Sequence, residues 1–166
     1  MNHEIRDHRA MREAPTPLKW VLYLALLWLL AMVQASFLSH LPLFGATIEL
    51  TLAMVLLFSW RQNPVVGGIY GMIGGFLLDA LVGSGLSVLP LLFFMLGVYA
   101  ALAARRLHDH PVTYFLMTLP AHVVLAAWRG VCEKSVGHAL AVILAGLIGS
   151  VIVYVPAAVR FFKRKG

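Results

Sequence analysis

GGIYGMIGGFLLDALVGSGLSVLPLLFFMLGVYAALAA, residues 67–104, is the stretch whose reading decides the fold. It holds two apolar runs joined by Gly83-Ser84-Gly85. In the first run Gly67, Gly71, Gly75, Asp79 and Gly83 recur every fourth residue. On a helix that spacing draws one slanting ridge with almost no side-chain bulk and a single carboxyl group. Ridges of small residues let two helix backbones approach closely, which is the packing habit of helices in lipid. The ridge fits either a neighbouring helix of the same chain or a partner's helix.

The rest of the 166 residues agree with a membrane setting: 61% are hydrophobic and 12% charged, and the mean hydropathy is +0.86. A chain this small has too much surface for its volume to bury so many apolar side chains in water, whereas a bilayer accepts them on the outside. The fold class is therefore an all-α integral membrane protein. Six apolar runs follow one another at roughly 20–39, 43–60, 65–82, 86–104, 112–128 and 137–159, separated by His40-Leu41-Pro42, Arg61-Gln62-Asn63-Pro64, Gly83-Ser84-Gly85, the Arg105–Pro111 segment and Arg129–Lys134. About 20 residues cross a bilayer. Residues 1–19 read as a cytoplasmic arm, 20–159 as a six-helix membrane domain and 160–166 as a basic cytoplasmic tail.

Orientation comes from the basic residues. Of the 13 Lys and Arg, eleven lie in the arm, at Arg61, at Arg105 and Arg106, and in the tail; only Arg129 and Lys134 fall on the other side. Short basic segments stay in the cytoplasm, so both termini are expected there. Scattered between apolar runs, these charges form no continuous patch for nucleic acid. The one cysteine, Cys132, excludes an intrachain disulfide. No metal-ligand spacing, P-loop, dinucleotide motif or Ser-His-Asp arrangement is present, so neither metal, cofactor nor catalytic residue is expected. His108-Asp109-His110 reads as a solvated loop.

Ionisable groups within apolar runs are costly, about 2.5–3.5 kcal/mol on insertion scales, and each is a candidate site. Glu49 near the start of the second run and Asp79 near the end of the third both belong to the outer half of the membrane on this topology. They are placed to approach each other, with Arg129 and Lys134 as possible counter-charges. Each carboxyl group fits an interfacial cap, a packing contact or a partner contact; for Asp79 proton carriage is a further option. Gln34 lies beside Ala31 and Ala35 in the first run and needs a hydrogen-bond partner. Ala141, Ala145 and Gly149 repeat the small-residue spacing in the sixth run, and His122 follows Pro120 in the fifth, where a local kink with a satisfied imidazole is expected.

These residues together resemble the MreD family, the rod-shape-determining membrane proteins of bacteria. The likeness rests on size, six spans with both ends inside, Gln34 late in the first span and Glu49 at the start of the second. It rests above all on Gly74-Gly75-Phe76-Leu77-Leu78-Asp79 followed by Gly83-Ser84-Gly85-Leu86, and on Tyr99 in the fourth span. Where the family usually has Pro-Asp-Leu, this chain has Thr47-Ile48-Glu49-Leu50. The resemblance implies a non-enzymatic scaffold of the cell-elongation machinery in the bacterial inner membrane. Its partners would be an MreC-like single-span protein and, indirectly, the MreB filament, a RodA-type glycosyltransferase and a class B penicillin-binding transpeptidase. It also implies a fold similar to the S component, the substrate-binding subunit, of energy-coupling-factor vitamin transporters. That subunit is the alternative function, since Ala31 and Ala35 nominally match its docking motif.

Overall fold

Apolar runs punctuated by Pro, Gly and basic clusters fold into helices in the computed structural model, which describes residues 16–40, 46–82, 88–106, 111–133 and 136–162. The helices are α1 (Pro17–Ser36), α2 (Leu50–Ser59), α3 (Pro64–Val82), α4 (Leu89–Arg106), α5 (Pro111–Glu133) and α6 (Val136–Phe162), with a 3-10 turn at Leu38–His40 after α1. There is no β-strand among the described residues. Helices α1, α3 and α4, and the Ala139–Pro156 part of α6, are long and apolar enough to cross a membrane. Gly83-Ser84-Gly85, His108-Asp109-His110, Lys134 and the outermost parts of the arm and the tail lie outside the described residues.

Proline sets several starts. Pro17 opens α1, where its fixed φ suits the first turn and its missing N–H would have had no partner. Pro64 opens α3, and Asn63 caps it: the Val66 amide donates to Asn63 Oδ1 at 2.8 Å. Thus Asn63-Pro64 both ends one element and starts the next.

The glycine ridge is used inside the chain. Helices α3 and α4 form the most extensive pairing of the bundle, and their backbones meet along the ridge. A Cβ added at Gly75 would lie 2.5 Å from Pro90 Cα and 2.6 Å from Leu89 O, and one added at Gly71 would strike the Phe93 carbonyl oxygen. Gly97 answers from α4, facing the Gly67 carbonyl. The seam closes because neither helix has a side chain there.

The second run differs most from an even row of spans. Its helix begins only at Leu50 and has ten residues, which rise about 15 Å, half of a hydrocarbon core of about 30 Å. Residues 46–49 ahead of it are non-helical, yet Ala46, Ile48 and Glu49 are buried. Irregular backbone at membrane depth is tolerated only when protein covers it. The cover comes from α6: Ala46, Ile48 and Leu50 cluster with Ala141, Val142 and Ala145, and Gly149 lies against the Glu49 main chain. The small-residue spacing in the sixth run therefore makes room for an unwound segment.

Nine of the ten α2 residues are buried, so this short helix is the axis around which the others stand. Its lower end is set in rings: Phe58 packs on Tyr23 at 4.4 Å and on Tyr70 at 4.1 Å between centroids. The Tyr70 hydroxyl donates to the Tyr23 carbonyl at 2.9 Å. On the opposite flank Tyr114 stacks on Tyr154 at 4.7 Å and donates to the Ala53 carbonyl at 3.3 Å.

Candidate functional site

A helix that starts inside an apolar bundle has a problem at its head: its first amides have no intrahelical acceptor and no water to turn to. Glu49 occupies the N-cap of α2, but its side chain does not cap its own helix. The acceptor comes from α1. Gln34 Oε1 accepts from the Thr51 amide at 2.9 Å, and Gln34 Nε2 donates to Glu49 Oε2 at 2.7 Å. Gln34 thus supplies from α1 the acceptor that an N-cap side chain would supply within the helix, and its own N–H donates to the carboxyl group of the N-cap residue. Gln34 is 4% exposed and Glu49 and Thr51 are fully buried, so these bonds are made away from water and hold α1 and α2 in register.

Gln34 reaches this position because Leu27, Ala31 and Gln34 form the buried face of α1. Ala31 keeps that face thin enough for the two helices to approach. The two residues that stood out as polar in apolar runs are therefore brought together, while Asp79 is half-buried on α3. Gly74 of α3 lies against Val55 of α2 and Leu27 of α1; Asp79 follows Gly74 by five residues, and Glu49 precedes Val55 by six. Arg129 is carried by α5, but the counter-charge reading of Arg129 and Lys134 falls on side chains outside the described set, as Gly83 does.

A second polar joint was only half legible. His122 is fully buried and its Nε2 lies 2.9 Å from Ser150 Oγ, joining α5 to α6. Gly146, one turn before Ser150, lets the imidazole in: a Cβ there would strike His122 Nδ1. The Gly146-to-Ser150 spacing of four is the signal that could have pointed to this partner. A third joint, Ser59 Oγ donating to the Gly67 carbonyl at 3.3 Å, ties α2 to α3 at the foot of the glycine seam.

These hydrogen bonds run from helix to helix, and chemically they are braces. The Gln34 site pairs a carboxamide with a carboxyl group and an amide, with no activated nucleophile beside it. No group of three or more His, Cys, Asp or Glu able to hold a metal occurs among the described residues. No protein-family model, curated protein or solved structure matches this chain.

Proposed function

We propose that this chain is a non-enzymatic membrane scaffold of the bacterial cell-elongation machinery, of the MreD kind. It would sit in the inner membrane with both termini in the cytoplasm, bind an MreC-like single-span protein and act through it on peptidoglycan synthesis. The observation that carries this reading is where the buried polar side chains go. Gln34, Glu49, Ser59, Tyr70, Tyr114, His122 and Ser150 hold helix to helix. Outward, α5 and α6 present a continuous apolar groove, with Leu116 66% and Leu144 52% exposed. Rigid inside and apolar outside is what a scaffold in lipid needs; a small-molecule pocket needs converging polar groups. A vitamin-binding S component would present Ala31 and Ala35 on its surface for docking. Here Ala31 is fully buried under the Gln34 joint.

Affinity purification of the tagged chain from its native membrane, followed by mass spectrometry, tests the reading. MreC-like and cell-wall synthase proteins should co-purify, and depletion should round the cells. Recovery of two ATPases with a coupling subunit, or of a tightly bound vitamin, would overturn it.

A further inference from the structure

Because α1 and α6 pack on α2 far more than on each other, a cleft of about 570 Å³ remains between the three helices, alongside the helical part of α2. Its back wall is the buried face of α2, including Met54 and Phe58. Its rims, Leu26 of α1 and Ile152 of α6, are 40% and 50% exposed, so it opens sideways toward the space that lipid fills. From Leu50 to Arg61 it extends about 17 Å along the helix axis, close to the depth of one leaflet, about 15 Å. At roughly 30 Å³ for each group the size of a water molecule, it has room for about 20 methylenes, the content of one acyl chain. A partner helix 10 Å across and of the same length would need roughly 1,300 Å³, more than twice the space present.

Charge marks one end. Arg61 lines the cleft at its mouth and is exposed. Lys19, also exposed, precedes the cleft residue Tyr23 by four positions and so shares its face of α1. Basic pockets between membrane helices attract anionic headgroups. We propose that the cleft holds one acyl chain of an anionic phospholipid from the leaflet at this basic end, with the phosphate held between Arg61 and Lys19. The lipid fills the gap between α1 and α6 and covers the side of α2 that they leave open.

The test uses the purified full chain in neutral detergent, titrated with dioleoylphosphatidylglycerol or dioleoylphosphatidylcholine and read by native mass spectrometry. The glycerol lipid should saturate at one per chain and bind at least fivefold tighter than the choline lipid. Arg61→Gln, a change at an exposed position, should weaken the glycerol lipid about fivefold, the effect of about 1 kcal/mol per basic group facing an anionic surface, and weaken the choline lipid, whose phosphate is offset by its own trimethylammonium group, by less. Leu57→Trp, which fills the cleft, should weaken both while circular dichroism stays that of the parent. Equal affinities for the two lipids, a preference undiminished by Arg61→Gln, binding without saturation, or unaltered binding in Leu57→Trp would each overturn the proposal.

Discussion

Replacing the ridge glycines with alanine one at a time should give a graded loss of stability set by what each new methyl group meets. At Gly75 the methyl carbon would sit 2.5 Å from Pro90 Cα and 2.6 Å from Leu89 O, and at Gly71 it would land on the Phe93 carbonyl oxygen. These are main-chain atoms with no rotamer to change, so α3 and α4 must separate by about 1 Å to reach ordinary contact distance. Overpacking of this kind costs about 1–3 kcal/mol. In water, the better helix propensity of alanine would return about 1 kcal/mol. In a micelle or bilayer the denatured segment stays helical, because its backbone has no other partner, so most of the clash should be measured. At Gly68 and Gly74 the methyl meets only side-chain ends, Phe94 and Val98 at 2.7 and 2.8 Å and Val55 at 2.9 Å. These can give by a turn away from the preferred rotamer, at about 0.5–1.5 kcal/mol, Val55 and Val98 less readily than Phe94 because Val is stiff at χ1 in a helix. The assay is reversible unfolding of the purified chain in mixed micelles of rising sodium dodecyl sulfate content, followed by circular dichroism and tryptophan fluorescence. Gly71→Ala and Gly75→Ala should each unfold at clearly lower detergent fraction than Gly68→Ala or Gly74→Ala. If all four variants coincide, the backbone contact between α3 and α4 is not what holds the hairpin.

Two further perturbations address the polar joints. Gln34→Leu removes both bonds at the head of α2 and should cost about 1–3 kcal/mol, since interhelical bonds in membranes are worth about 0.6 kcal/mol on average and up to about 1.7. In the same unfolding assay, the double variant with Glu49→Leu should lose less than the sum of the two single losses, and strict additivity would refute the pairing. Gly146→Ala should destabilise more than Ser150→Ala, because the first drives the imidazole out of its place whereas the second leaves one buried nitrogen without its bond, a loss of about 1–3 kcal/mol. The reverse order would place the imidazole elsewhere.

Much of the fold was readable because lipid imposes a simple code: runs of apolar residues, breakers and basic ends. The seam between α3 and α4 was written in Gly67, Gly71 and Gly75, and what the spacing left open, the identity of the neighbour, is answered by Gly97, whose own lack of a side chain has no meaning until the two helices are placed together. Gln34 and Glu49 stood out as polar residues in apolar surroundings, but their partnership did not, because each has many possible partners and the backbone between them is irregular. The shortness of α2 was hidden for a different reason. Buried on nearly all sides, the second run shows no apolar face, so periodicity cannot tell its irregular start from its helical end. Ser150 was overlooked because a serine in an apolar helix satisfies itself as easily as it satisfies a histidine.

The two halves of the second run depend on each other. The non-helical residues 46–49 can lie against α6 only where α6 has Ala141, Ala145 and Gly149 in place of large side chains. Leaving the helix early, however, exposes the first amides of α2 in a dry interior, and that cost is met by Gln34 reaching over from α1. From Leu50 on, α2 stands between α1 and α6, and the lateral cleft beside Met54 and Phe58 is the side of the helix that those two leave uncovered. The carboxamide at position 34 and the small-residue ridge of α6 therefore both answer to one short helix. A change that lengthened α2 should disturb the two together.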